Sequence, residues 1–183
     1  MGFWSELFGI EKERPKDGSF EEYHENGQVY GRGTSKNGGL HGPFERYYES
    51  GQLELRENYI DGLENGPFQT YYPDGQLKQN GASEDGQLHG VVDNYYPDGR
   101  LKYRSTFVAG KQHGPYEVGR EDGYSSKGNY VNGVQEGPSE GVYGNGQVSV
   151  RVTYKNGEFH GPCERYHEDG ELREKGTYNM GEE

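Results

Sequence analysis

One glycine returns at a nearly constant interval through most of the chain, at Gly18, Gly42, Gly66, Gly90, Gly114, Gly137 and Gly161. The interval is 24 residues at every step but one, from Gly114 to Gly137, which is 23. A fixed period in this range makes each repeat one supersecondary unit, so the chain reads as an array of seven units. Each unit carries two turn phrases. The first is of the "ESG" or "PDG" kind, ending at Gly27, Gly51, Gly75, Gly99, Gly123, Gly146 and Gly170. Acidic or amide residues followed by glycine suit a type I turn closed by a glycine bulge. The second is "NG", "DG" or "AG", ending at Gly38, Gly62, Gly86, Gly110, Gly133 and Gly157. Two turns per unit leave two strands of about six residues, near the usual strand length.

The residues between the turns alternate as strands do. "QVSVRVTY" sets Val148, Val150, Val152 and Tyr154 on one face. No 3.6-residue period is sustained, so each unit is a β-hairpin. A lone hairpin is marginal in water, which requires successive hairpins to pair edge to edge. The expected fold is therefore all-β: an elongated antiparallel sheet of about fourteen strands spanning roughly 65 Å. Units in register place Tyr47, Tyr71, Tyr95 and Tyr166 in one column and Tyr48, Tyr72, Tyr96 and Tyr143 in another on the opposite face. Only 28% of the residues are hydrophobic while 14% are aromatic, so such ladders stand in for a closed core. On this reading Tyr71→Ala costs about 3 kcal/mol or more, as in a core. Unit five has Gly119 and Arg120 where others have Tyr-Tyr, and unit six has Ser139 for the aromatic and Gly141 within its strand. Those two units are expected to be the least regular.

Residues 1–17 precede the array, which occupies 18–183. Phe3, Trp4, Leu7 and Phe8 fall at helical spacing, and a short helix capping the first strand is expected there. One cysteine excludes an internal disulfide, and no apolar run approaches 18 residues. With no secretory pattern at the start, a cytoplasmic protein is expected. A net charge of −12 disfavours nucleic acid and anionic membrane and favours a basic partner.

No enzyme motif stands out. His41, His89, His113 and His160 form a column whose rungs lie roughly 9–10 Å apart, too far to share one metal. They are read as turn histidines bonded to nearby backbone. Cys163 occupies the slot of Phe44, Phe68 and Tyr116 and is read as a packed residue. Glu21, Glu45, Asp93, Glu117, Glu140 and Glu164 form an acidic column on an open face, with no cleft to raise one carboxyl for catalysis. Neither cofactor nor metal is expected.

The phrases "NGGLHGPFERYYESGQL", "DGQLHGVVDNYYPDGRL" and "NGEFHGPCERYHEDGEL" resemble the variant MORN repeat. The shared pattern is a turn glycine, His-Gly-Pro, an aromatic strand, a Pro/Glu-Asp-Gly turn and a following Leu. The resemblance implies a binding protein. In bacteria it implies an antitoxin or immunity protein that neutralises a cognate toxin by occluding its active site; the alternative is a scaffold or lipid-associated protein with no toxin partner. The expected contact surface joins Tyr47, Tyr71 and Tyr95 to Glu45, Asp93 and Glu117, because positions two apart on a strand share a face.

Overall fold

The computed structural model describes residues 14–179. Seven hairpins follow one another, and every strand pairs antiparallel with its neighbours in sequence. The first strands of the units are Gly18–Tyr23, Gly42–Tyr47, Gly66–Tyr71, Gly90–Tyr95, Lys111–Gly119, Gly137–Val142 and Gly161–Tyr166. The second strands are Val29–Lys36, Leu53–Ile60, Leu77–Glu84, Leu101–Val108, Ser125–Val131, Val148–Lys155 and Leu172–Tyr178. Five two-residue pieces, such as Gly39–Leu40, lead into the first strand that follows them. The 19 segments of the sheet thus make fourteen strands, as expected from the double turn. The capping helix expected at Phe3, Trp4, Leu7 and Phe8 lies outside the described residues. Residues 14–17 already run in the place of a two-residue piece: Gly38 N–H donates to the Lys16 carbonyl at 2.7 Å, as Gly62 N–H does to Leu40 at 2.8 Å.

The glycines mark three kinds of backbone. At the first turn Gly27 N–H donates to the His24 carbonyl and Gly27 itself sits at φ 81°, the type I turn with a glycine bulge. Asp or Asn precedes that glycine because its side chain accepts the next backbone N–H, as Asp74 does from Gln76 at 3.0 Å. Between the two-residue piece and the first strand, Gly42 at φ 88° kinks the chain. The second turn is type I′, with both central residues left-handed. Asn37, Asp61, Asp85, Asn132 and Asn156 hold the first of these positions at φ 49° to 53°. In unit four Ala109 holds it at φ 46°. A left-handed non-glycine residue costs roughly 1–2 kcal/mol, less for Asn, whose side chain bonds locally. Ala109→Asn is therefore expected to stabilise the protein by about 0.5–1 kcal/mol, read as a rise in unfolding temperature. An unchanged or lowered temperature would contradict the turn assignment.

One face of the sheet is the packed one. Its central column runs Phe20, Phe44, Phe68, Val92, Tyr116, Ser139 and Cys163, and against each stands a cross-strand partner: Gly33, Glu57, Gly81, Ser105, Gly128, Val152 and Gly176. A large side chain faces a small one in most pairs, and in unit six the order is swapped. Rings lie directly over the glycines: a Cβ on Gly33 would stand 3.1 Å from Phe44 Cδ2, and one on Gly128 2.8 Å from Tyr116 Cε1. Phe20, Phe44 and Leu55 form the main cluster, with Leu40 and Tyr59 against it. Cys163 is buried in this column, as its slot implied.

The second tyrosine column ties each unit to the next. Tyr48 Oη donates to the Tyr71 carbonyl at 2.7 Å, Tyr72 to Tyr95 at 2.8 Å, Tyr96 to Gly119 at 3.2 Å and Tyr143 to Tyr166 at 2.8 Å. In the first unit His24 Nε2 donates to Tyr47 in the same way at 2.8 Å. Unit five departs from the others at Arg120, which pairs with Asp122 instead. Its shorter length has a structural cause. In the other six hairpins a bulge interrupts the pairing near the first turn, as between Arg46 and Tyr47, where Glu54 is the extra residue. In unit five the register runs from Gly114↔Tyr130 to Gly119↔Ser125 without a bulge. The 23-residue step is the missing bulge residue.

Candidate interaction face

The opposite face carries the candidate site. Tyr47 Oη donates to Glu45 at 2.6 Å and Tyr95 Oη to Asp93 at 3.2 Å, so the expected side chains do share a face. The same contact recurs as Tyr23 to Glu21 at 2.6 Å, Tyr71 to Gln69 at 3.0 Å and Tyr166 to Glu164 at 2.7 Å. Glu117 has no such tyrosine, because Gly119 stands two residues on. The tyrosine rings at 47, 71 and 95 are partly buried, standing beside the sheet with an open side to solvent.

The acidic column is half of a row. Hairpin register and unit register together place residues across the sheet in the order Glu21, Arg32, Glu45, Arg56, Gln69, Asn80, Asp93, Arg104, Glu117, Lys127, Glu140, Arg151, Glu164, Lys175. Six carboxylates alternate with six cations, broken only by the neutral Gln69 and Asn80. Glu45 lies between Arg32 at 2.6 Å and Arg56 at 3.0 Å; Arg104 meets Asp93 at 2.6 Å; Glu140 takes both Lys127 at 3.2 Å and Arg151 at 3.1 Å. The face is charge-balanced, not acidic. Sequence reasoning missed the cations because they sit on the second strand, and only the hairpin register brings them opposite the acids. The edge formed by the first turns carries carboxylates at Glu25, Glu49, Asp74, Glu168 and Asp169, while Asp98 and Asp122 on the same edge are paired with Arg100 and Arg120.

The pairing shows in the carboxyls. The Tyr47 hydroxyl, with Arg32 and Arg56 behind it, holds Glu45 below its ordinary value, and Arg104 does so for Asp93. Carboxyls lowered in the fold contribute stability above their unfolded pKa that is lost as pH falls through the folded value.

Glu57 is the opposite case. It is 8% exposed on the packed face, where other units have Gly, Ser or Val, and burial pushes its carboxyl up. Its hydrogen-bond donor is the Tyr59 hydroxyl. A raised carboxyl favours the folded state below the unfolded pKa of about 4.3, and that contribution is lost as pH rises through the folded value. Glu57→Gln keeps the acceptor and removes the charge. Its stability is expected to match the natural chain at low pH and to exceed it increasingly as pH rises toward neutral. Parallel urea titrations across that range check this, and a constant difference would refute it.

Two of the four column histidines bond turn backbone through their rings, whereas His89 Nδ1 lies 3.1 Å from Glu84 and His160 Nδ1 is buried with no hydrogen-bond partner among the described residues. Asp61 N–H donates to His41 Nδ1 and Asn132 N–H to His113 Nδ1, each at 3.4 Å. Among the described residues no three His, Cys, Asp or Glu side chains gather to hold a metal ion, and no helix is long and apolar enough to cross a membrane.

The family described as MORN repeat variant matches the chain over residues 16–37, 40–61, 64–81, 84–109, 135–156 and 159–180. The longest unmatched stretch within the array, 110–134, takes in most of unit five, which lacks the bulge yet pairs as a hairpin like the rest. No curated protein matches.

Proposed function

The chain belongs to the MORN repeat variant family, and from that premise we propose that it is an immunity protein or antitoxin. It would neutralise a cognate protein toxin by covering its active site, without chemistry of its own. The contact surface is the face bearing Tyr47, Tyr71 and Tyr95 beside Glu45, Asp93 and Glu117. The observation that carries this reading is the tyrosine column, whose hydroxyls are anchored at both Glu45 and Asp93. Rings already held in place offer contact area at little further cost in side-chain entropy. A basic toxin is steered by the carboxylates of the first-turn edge, because the face itself is balanced.

Expressing the neighbouring gene with and without this one tests the proposal. The neighbour alone should arrest growth, and co-expression should restore it. Combined Tyr47→Ser, Tyr71→Ser and Tyr95→Ser, with the β circular dichroism retained, should abolish the rescue. Charge reversal is the poorer probe, since Glu45→Lys would set three cations side by side. A folded triple variant that still protects moves the contact to another surface. If no neighbour is toxic and the tagged chain captures no toxin, the protein is a scaffold of another kind.

A further inference from the structure

The alternating row opens on a carboxylate, Glu21, in the first edge strand and closes on a cation, Lys175, in the last. At the junctions between units a second-strand residue faces the first strand of the next unit, as Arg32 faces Glu45, Arg104 faces Glu117 and Arg151 faces Glu164. We propose that a second copy of this chain continues the sheet head to tail, its Gly18–Tyr23 strand pairing with Leu172–Tyr178 and its Glu21 standing opposite Lys175.

Three further features at the two ends fit this occupant. Tyr23 is 50% exposed and Leu172 53%, whereas their counterparts inside the array, such as Tyr47 and Leu53, which have a unit on either side, are partly buried. His167 holds the slot of His24, whose Nε2 donates to the carbonyl of Tyr47 in the following unit. For His167 the matching acceptor is the Tyr23 carbonyl of another copy. Gly176 holds the slot of Gly33, over which the following Phe44 ring lies, and would receive Phe20. The one like-charged pair this register creates is Glu174 against Glu22. Each already carries its own arginine, Arg165 at 2.7 Å and Arg14 at 2.6 Å.

Such an interface is heterologous, since each end binds the other and not itself, and it propagates unless the rotation closes a ring. Among the described residues the outer edges of Gly18–Tyr23 and Leu172–Tyr178 pair with no further strand, and such an edge supplies the backbone groups for it. The inference rests on sheet register and is independent of any toxin.

Sedimentation velocity of the full-length chain over a wide concentration range tests it. The expected result is a mass that climbs past the dimer, with Glu21→Lys and Lys175→Glu each weakening association by roughly tenfold. Carrying both substitutions in one chain restores the pair with its signs exchanged and should recover association. Circular dichroism of each variant checks that the hairpins remain. A single monomeric mass at every concentration would overturn the proposal, as would assembly that stops at a dimer. So would folded single variants that associate like the natural chain, or a folded double variant no better than the singles.

Discussion

Phe44→Ala is expected to lower stability by about 3–5 kcal/mol, the largest loss of any single truncation on the sheet. Phe44 is 6% exposed. Its ring stacks on Phe20 at 6.3 Å, meets Tyr59 edge-on at 6.1 Å, and covers Gly31 and Gly33 within 3.3 Å of where their Cβ atoms would be. Removing it opens a cavity that two hairpins share, and glycines cannot lean in to fill it. Tyr71→Ala, expected from the tyrosine pattern to behave as a core truncation, should instead cost about 1 kcal/mol. The ring stands on the open face, and its hydroxyl is held only by Gln69. Chemical unfolding of the two variants side by side decides the matter. Equal losses would mean that the tyrosine face is packed as closely as the phenylalanine face.

Gly81→Val should cost about 1–3 kcal/mol through overpacking. Gly81 has no positive φ, so the effect is one of space alone. Its Cβ would stand 2.9 Å from Phe68 Cζ and 2.9 Å from Val92 Cγ2. Unit six shows the remedy, where Ser139 faces Val152 and the large partner has changed strands. Phe68→Ser alone should cost as a ring truncation does, while Phe68→Ser with Gly81→Val should cost less than the two losses added, by about 1 kcal/mol or more. Strict additivity would show that the ring and the glycine do not share one volume.

The turns were legible because their chemistry is local. Gly after Asp or Asn names a backbone conformation without reference to anything distant, and counting turns gave the strands. The shared face of Tyr47 and Glu45 was legible for the same reason, lying within one strand. The partners across the hairpin were not. Whether Arg56 or Leu55 faces Glu45 depends on a bulge that shifts the register by one residue. The bulge positions, held by Tyr30, Glu54, Lys78, Lys102, Ser149 and Arg173, share no residue type that would announce them. The charge balance of the face and the pairing of rings with glycines both follow from that register.

The strictly sequential pairing of the hairpins has a consequence for how the protein comes into being. A strand never waits for a partner from the far end of the chain; its neighbour has either just been made or is next. Loop closure therefore costs little at each step, and formation is fast for a sheet of this size. During synthesis each hairpin can settle onto those already emerged, so the nascent edge advances with the ribosome. Whole units could be gained or lost by duplication or deletion in a gene while the remaining rungs keep their neighbours.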